Sequence, residues 1–434
     1  MTVLAFVIGV VLLVVGLAVS IALHEVGHLV PAKAFGVRVG RYMIGLGPTL
    51  WSRRFGETEY GVKALPLGGY ISMSGMYPPA SDEPGAPSRA GGRFFATMVQ
   101  DARLANAETL VDGDTRPAFY QLAVWKRIVI MVGGPFMNLV LAMVLFGIAL
   151  SAIGVPSVSP TIAAVSECVI PTGADRTTCE PGDPVSPAAA GGIRPGDVIV
   201  AVDGTEVSGY AEATAIIQAS PGRTIPIVVE RAGERVTLDV TPVSAERPVA
   251  TPDGGTEIAQ VGFVGMTGTR VNVPQPIWAG PQVAIERLGA VASVIWQLPV
   301  KVYETGVALV TGGERDPNGP LSVVGAGRIA GEVAATEAPI QDRVVDLLSL
   351  LGSLNIALFM FNLLPLLPLD GGHVVVALWD GLKRAWAKLF RRARPKPVDA
   401  TKLVPVTFVV VIGLIVMGGT LILADVFNPI SILG

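Results

Sequence analysis

Residues 3–30 read VLAFVIGVVLLVVGLAVSIALHEVGHLV. The run from Val3 to Ser20 has no charged residue, and a membrane-spanning helix needs roughly 20 apolar residues. The quoted stretch ends in HEVGHLV, which contains His24, Glu25 and His28. Ionisable groups in a span usually mark a polar cavity or pathway. The run has no basic start and no A-x-A-like cleavage site, as a signal peptide would. The stretch therefore predicts a retained membrane span that carries chemistry at its end.

The composition of the whole chain indicates a multi-span membrane protein. The chain has 434 residues, of which 51% are hydrophobic and only 15% charged, and its mean hydropathy is +0.57. Its net charge of -3 indicates no nucleic-acid partner. About four runs are long and apolar enough to cross a bilayer: Val3–Leu23, Ile130–Leu150, Leu347–Pro368 and Leu403–Ala424.

Lysine and arginine near the span ends predict the orientation of the chain. Lys33, Arg38 and Arg127 lie between the first two runs, and a basic cluster occupies residues 383–402 between the last two. Positive loops stay on the cytoplasmic side of a membrane. Both segments are therefore expected in the cytoplasm, with the termini and the middle of the chain outside.

Strand patterns follow the first span. Residues 38–75 are glycine-rich and alternate in places, which predicts short strands with tight turns, in a membrane-associated β-hairpin region. Residues 77–117 are rich in Pro, Ala, Gly and charge, and they are interpreted as a flexible cytoplasmic insertion with a short helix near residues 94–104.

The outside block contains GGIRPGDVIVAVDGTEV, from Gly191 to Val207. A glycine turn, a strand, a helix near Tyr210–Ala219 and two alternating strands follow one another to Val243. This order resembles a bacterial PDZ domain, an α+β fold. Cys168 and Cys179 lie in the same block, and an oxidising compartment makes either a local disulfide or two free thiols compatible with the sequence.

An amphipathic helix is predicted between the outside block and the third run. Apolar residues recur at helical spacing from Ile277 to Leu309, which is typical of a helix that lies on the outer membrane face or caps a helix bundle. Pro299 is expected to kink or end it.

These patterns divide the chain into nine segments in sequence order. The first four are the first span with its polar motif (1–30), the β-rich membrane-associated region (31–76), the cytoplasmic insertion (77–127) and the second span (128–153). The extracytoplasmic PDZ-like domain (156–245) and a linker with the amphipathic helix (246–345) follow. The last three are the third span (346–377), a basic cytoplasmic loop (378–402) and the fourth span (403–426).

The HEVGH motif has the spacing of a metal site. In a helix, residues i and i+4 differ in direction by about 40°, so His24 and His28 can share one ion. Glu25 is close enough to reach a metal-bound water without being a ligand. Zinc lowers the pKa of such a water, and a neighbouring carboxylate can accept its proton. The motif predicts metal-assisted hydrolysis.

A catalytic zinc usually has three protein ligands, and the sequence offers two candidates for the third. Both lie in NLLPLLPLDGGHVV, residues 362–375, which is also expected at the cytoplasmic end of a span. Asp370 is preferred, because it follows a proline-broken helix beside glycines that permit close backbone approach. His373 remains the alternative ligand, a group that supports a ligand, or a free histidine at the edge of the span.

HEVGH in a first span, NLLPLLPLDGG in a later one and a PDZ-like insertion between them resemble the site-2 protease family of intramembrane zinc metalloproteases. The similarity extends to PLGGYISMSGM after the first span, GGPFMNLVLA in the second and GPLSVVGAG before the third. It is greatest to the RseP-like branch, of the actinobacterial type. This resemblance implies a bacterial plasma-membrane location and an active site toward the cytoplasm.

The resemblance implies that His24, His28 and Asp370 bind one zinc ion, that Glu25 is the general base and that Asn362 helps to position the substrate. An asparagine in a span can instead form a hydrogen bond between helices, so this alternative stays open for Asn362. Substrates would be single-span membrane proteins, such as anti-sigma factors, or remnant signal peptides. Two departures are visible: one PDZ-like domain stands where that branch carries two, and the 77–117 insertion has no counterpart in the shorter form.

Two other functions compete with proteolysis. A membrane metal transporter would also need intramembrane histidine and aspartate, but it has little use for a glutamate fixed beside His24 or for a PDZ-like domain. A non-catalytic scaffold would present that domain, but it would not need an intact HExxH motif.

Overall fold

The computed structural model describes residues 2–78, 92–110, 114–170, 176, 178–250, 256–317, 319–393 and 395–430. Much of the predicted insertion, residues 79–91 and 111–113, lies outside these ranges. The chain forms two compact units. We call Met1–Ile153 with Gln275–Gly434 the helical unit, and Gly154–Pro274 the inserted unit.

The helical unit contains long apolar helices and one sheet. Its helices are α1 (Thr2–Ala34), α2 (Gly92–Ala107), α3 (Val124–Gly147), α6 (Ala279–Thr311), α7 (Val323–Ala335), α8 (Ile340–Asn362), α9 (Asp370–Leu389) and α10 (Val404–Phe427). Among the described residues, five segments are long and apolar enough to cross a membrane, by length and composition: Val3–Ala34, Val124–Ile153, Ala279–Thr311, Ile340–Asn362 and Ala400–Phe427. The predicted helical membrane architecture is confirmed at this level.

Small residues allow the helices to approach closely. A Cβ added to Gly27 of α1 would lie 2.2 Å from the backbone oxygen of Gly133 in α3, and one added to Gly9 would lie 2.3 Å from that of Ala330 in α7. Apolar helices in lipid associate through such packing, because burial from water does not drive their contact.

Helix α6 is one of the five long segments, and it continues through Pro299 instead of ending there. Its first turn packs against the C-terminal end of α3, where an added Cβ on Gly280 would meet the Gly147 nitrogen at 2.4 Å. Just beyond its last turn, the Gly313 carbonyl accepts a hydrogen bond from Asn428, which follows α10.

Helix α6 meets the C-terminal ends of α3 and α10, and these two ends lie at one face of the bundle. Near the opposite ends of α3 and α10, Asp380 binds both Arg127 of α3 and the Val398 nitrogen just before α10. Because α3 and α10 start at one end of the bundle, their C-terminal ends share the other. Both ends of α6 therefore lie at that same face.

The structure corrects the third predicted span. Helix α8 ends at Asn362, residues 363–369 are non-helical with a cis Leu367–Pro368 bond, and a new helix begins at Asp370. Pro365 and Pro368 lack an N–H donor and disfavour helical conformation in the residue before them. The segment predicted as 346–377 is therefore two helices.

Part of the predicted basic loop, 378–402, is also helical. Helix α9 continues to Leu389 and exposes an apolar face at helical spacing, formed by Leu378, Trp379, Leu382, Trp386 and Leu389. The lysine and arginine residues of this helix account for the prediction of a loop. A basic helix with exposed tryptophans is typical of a membrane interface.

Two long bent strands replace the short strands predicted after span one. They are β1 (Val39–Phe55) and β2 (Thr58–Met73), which pair antiparallel. Tyr42 of β1 pairs with both Tyr60 and Ile71, so the first half of β1 lies between the two halves of β2. Gly45 and Gly68, at φ of 90° and 81°, provide the bends. Gly69–Met73 thereby becomes an edge of the sheet.

The helix predicted near residues 94–104 is present as α2. It contacts α10: Phe94 packs edge-on against Phe408, and Arg103 donates a 2.8 Å hydrogen bond to Asp399 just before that helix. The described end of the insertion is therefore attached to the bundle.

The inserted unit is built from antiparallel strand pairs and two short helices. Its elements are β3 (Val155–Val165), α4 (Pro187–Ala190), β4 (Val198–Val202), β5 (Thr205–Glu206), α5 (Tyr210–Gln218), β6 (Ile225–Arg231), β7 (Glu234–Val240), β8 (Val243–Ala250), β9 (Thr256–Phe263) and β10 (Met266–Val273). The main sheet has the order β10-β3-β4-β6-β7, and β5 pairs with β4. Alternate residues of β6, Ile225, Ile227 and Val229, are buried in its core with Ile217 of α5.

The unit extends beyond the predicted 156–245 limit. Residues 246–273, predicted as linker, form most of β8 and all of β9 and β10, and β10 pairs with β3 at the start of the unit. Strands that pair across about a hundred residues leave no local pattern. Cys168 and Cys179, for which the sequence left two states open, are joined in a disulfide.

Asp197 should make the inserted unit sensitive to acid. Its buried carboxylate accepts two 2.8 Å hydrogen bonds from Arg231 and one from the Arg194 nitrogen. The bonds to Arg231 hold the pKa of Asp197 below its usual value, so the stabilisation is present above about pH 4 and is lost as pH falls through the folded pKa.

We expect Asp197→Ala to destabilise the unit by about 2 kcal/mol at pH 7. The difference from the unchanged chain should shrink below about pH 4. Protease resistance of the unit in urea, measured on the full chain, tests this against Asp239→Ala at an exposed position. Equal losses in the two variants at pH 7 would contradict the assignment.

Candidate metal centre

Three ligand atoms from distant parts of the chain face one point. His24 Nε2 lies 3.2 Å from His28 Nε2 and 3.3 Å from Asp370 Oδ2, and His28 Nε2 lies 3.4 Å from that oxygen. All three residues are buried or half-buried. The i, i+4 spacing on α1 places the two imidazoles on one helix face, as predicted, and the start of α9 brings the carboxylate to them.

The dimensions of this triangle suit zinc. Donors about 2.0–2.1 Å from a tetrahedral ion lie about 3.3 Å from one another, which matches the three edges. Among the described residues, the buried Oδ2 atom of Asp370 has no hydrogen-bond partner. Two imidazoles and one carboxylate are donors that zinc commonly accepts. The group therefore fits a zinc ion with one coordination position left for water or substrate.

The backbone of α3 fixes the orientation of His28. His28 Nδ1 donates a 2.7 Å hydrogen bond to the Ile130 carbonyl, which leaves Nε2 as the free acceptor atom. Gly134, one turn later, makes room for the ring: a Cβ there would lie 2.2 Å from His28 Nε2. Any side chain at position 134 would occupy the place of the imidazole.

Two glycines fix the position of Asp370. A Cβ on Gly371 would lie 2.3 Å from the carbonyl oxygens of Leu363 and Leu364, and one on Gly372 would lie 2.6 Å from the Leu367 nitrogen. The non-helical turn therefore folds directly onto the first turn of α9. This contact holds Asp370 beside α1 and agrees with the close approach predicted for the two glycines.

Glu25 and the edge of the sheet share the cavity with the three ligand atoms. The cavity has a volume of about 340 Å³, and Glu25, Gly69, Tyr70 and Ile71 line it. Gly69 lies tightly against α1, since an added Cβ would be 3.0 Å from Glu25 Cγ. Among the described residues, β1 pairs with one side of Gly69–Met73, and no strand pairs with the other.

The two remaining candidates also line this cavity but lie outside the triangle. The His373 ring stacks with Tyr77, with ring centroids 6.2 Å apart. Asn362 donates a 3.0 Å hydrogen bond to the Leu358 carbonyl within its own helix. The geometry thus favours Asp370 over His373 as third ligand and does not assign Asn362 to an interhelical bond.

Sequence reasoning missed the contribution of α3. The sequence predicts GGPFMN only as part of the second span, yet Gly134 accommodates His28, and Asn138 contacts His24 at 3.2 Å. A lone asparagine four residues after a glycine, within an apolar run, was the available signal.

Gly134→Ala should disturb the site without unfolding the helix. Alanine usually stabilises a helix relative to glycine by roughly 0.5–1 kcal/mol, but here its Cβ collides with an imidazole that Ile130 holds in place. We expect at least about a tenfold loss of zinc affinity. Gly147→Ala on the same helix serves as control, because its added Cβ would meet no atom of another described element within 4 Å. Equal zinc affinity in both variants would contradict this account.

Comparison with known proteins agrees with this geometry. The model of Peptidase family M50 matches residues 12–393. The chain is 36% identical over 446 residues to "Zinc metalloprotease Rip1" of Mycobacterium tuberculosis (strain ATCC 25618 / H37Rv), covering 98% of this chain and 99% of that protein. It is 28% identical over 391 residues to "Metalloprotease MmpA" of Caulobacter vibrioides, covering 88% of each. The chain belongs to peptidase family M50.

Proposed function

We infer that this member of peptidase family M50 is an intramembrane zinc metalloprotease, which hydrolyses peptide bonds within or beside transmembrane segments of other proteins. Its family and the zinc metalloprotease names of its relatives establish the enzyme class. One observation carries the proposed chemistry: three metal-ligand atoms, Glu25 and an unpaired strand edge line one cavity among membrane-spanning helices.

Each side chain of the centre has a proposed role. His24, His28 and Asp370 hold the zinc ion, and the 3.2–3.4 Å edges of their triangle support this assignment. Zinc bound there polarises the scissile carbonyl and makes water nucleophilic near neutral pH. Glu25, in the cavity beside them, takes the proton of the attacking water and gives it to the leaving amine.

The substrate must be unwound before it can be cut, because a helix hides its carbonyls in internal hydrogen bonds. The side of Gly69–Met73 that no described strand pairs with offers backbone groups to which an extended segment can pair. Since this edge lies against Glu25, a paired segment passes the ligand triangle. Asn362, in the same cavity, is proposed to hold the substrate backbone near the cut.

We propose four membrane crossings, with the termini and the inserted unit outside the cell and the metal centre toward the cytoplasm. Both ends of α6 lie at one face of the bundle, which supports a helix that does not cross. The exposed Leu50, Trp51 and Phe55 on β1 suit insertion into lipid. The membrane is the bacterial plasma membrane.

The inserted unit is proposed to act as a PDZ-like filter. Helix α5 and the 261–266 segment line a groove of about 280 Å³, suited to an extended peptide end. It would admit single-span proteins already shortened by another protease, such as anti-sigma factors, or remnant signal peptides.

Reconstitution in liposomes tests this function against its alternatives. The purified chain and a single-span substrate share one bilayer, and mass spectrometry locates the cut. We expect a cut within or beside the span, abolished by a chelator and restored by zinc. Zinc uptake into dye-loaded liposomes without any cut would instead indicate a transporter, and neither result would indicate a scaffold.

A further inference from the structure

Asn138 lies in the apolar helix α3 and faces the outer nitrogen of His24. Its side chain is 1% exposed, and its Nδ2 atom is 3.2 Å from His24 Nδ1. Its Oδ1 atom is also buried, and no described residue forms a hydrogen bond with it. A buried amide oxygen without a donor costs free energy, so this residue requires a physical explanation.

Both histidines of α1 contact α3. Helices α1 and α3 run antiparallel, because His28 meets Gly134 while His24, one turn earlier, meets Asn138, one turn later. The outer nitrogen of His28 already has an acceptor, the Ile130 carbonyl. Asn138 occupies the corresponding place for His24.

The tautomer of His24 decides which amide atom must face it. To bind a metal through Nε2, a neutral imidazole carries its proton on Nδ1 and needs an acceptor there. An amide nitrogen facing Nδ1 favours the other tautomer, with the proton on Nε2. Turning the amide by 180° exchanges oxygen and nitrogen, which are nearly equal in size. The turn also gives the orphaned oxygen a donor.

We propose that Asn138 is the positioning residue for His24: its amide oxygen accepts the Nδ1 proton, fixes the ring and selects the metal-binding tautomer. The inference rests on the proposed function in that His24 is taken as a zinc ligand. With Ile130, Asn138 makes α3 the support for both histidines of α1.

The test compares zinc affinities in the Glu25→Gln background, so that proteolysis plays no part. Asn138→Leu keeps the volume and removes the acceptor, whereas Asn138→Asp keeps an acceptor. Asn355→Leu is the matched control, since Asn355 is another fully buried span asparagine, hydrogen-bonded to Ser20 of α1. Chelator competition gives affinity, and the visible spectrum of the cobalt-substituted chain reports ligand geometry.

We expect Asn138→Leu to lose about 10–100-fold in zinc affinity and to shift the cobalt spectrum, as is usual for partners of metal-bound histidine. Asn138→Asp should bind zinc at least tenfold more tightly than the leucine variant, and Asn355→Leu should bind as the parent does. An affinity loss in Asn138→Leu no larger than in Asn355→Leu, or no recovery with aspartate, would overturn the proposal. If His24→Ala leaves zinc affinity unchanged, the proposed metal site itself has failed.

Discussion

Glu25→Gln is expected to lower kcat/KM for a single-span substrate by about 100–10,000-fold, the range that general acid–base groups contribute. Glutamine fills nearly the same volume in the cavity but cannot accept the proton of the attacking water. The reason is geometric as well as chemical, since Glu25 lines the cavity that the three ligand atoms also line.

The zinc content of Glu25→Gln shows whether the variant has lost only its general base or also its metal centre. Glu25 is not one of the three ligand-bearing residues, so the glutamine variant should hold as much zinc per chain as the unchanged protein. Initial cleavage rates and elemental analysis on the same preparation measure both. Undiminished cleavage by the variant would exclude Glu25 as the base, and loss of its zinc would make Glu25 part of the metal site.

Asp370→Asn is expected to weaken zinc binding by more than about 100-fold, beyond the range typical of groups that only support a ligand. Asparagine removes the negative charge of the carboxylate, whose Oδ2 atom lies within 3.4 Å of Nε2 of both histidines. A neutral amide oxygen is a weaker zinc ligand than a carboxylate oxygen. Cleavage should fall with zinc content and recover in part when zinc is raised.

His373→Ala is the matched variant for that experiment, because His373 lines the same cavity and stacks with Tyr77 instead of joining the triangle. Its zinc affinity should remain close to that of the unchanged chain. The opposite pattern, with zinc lost in His373→Ala and kept in Asp370→Asn, would make His373 the third ligand in place of Asp370.

The sequence predicts best the part of the site that lies on a single helix. His24 and His28 share a face because their spacing is local, and Asp370 could be preferred from the proline and glycine residues around it. The choice between Asp370 and His373 required the three-dimensional position of α9. Asn138 and Gly134 contribute by meeting α1 across a helix contact. The lone asparagine in the apolar run of α3 indicates a polar role, but only the three-dimensional structure identifies His24 as its partner and His28 as that of Gly134.

The fold shows the same division. The apolar runs and the order of elements from β4 to β7 follow local periodicity and were predictable. Strand β10 belongs to the inserted unit only because it pairs with β3, far away in sequence. Helix α9 was not predicted, because its basic residues are typical of a cytoplasmic loop. Its exposed tryptophans suit a membrane interface.

The X-ray absorption spectrum of zinc in the purified chain tests the central assignment most directly. We expect nitrogen and oxygen donors at about 2.0–2.2 Å from the zinc, with outer-shell scattering from two imidazoles that falls to one in His24→Ala. Scattering from three imidazoles, or a spectrum that His24→Ala leaves unchanged, would contradict it.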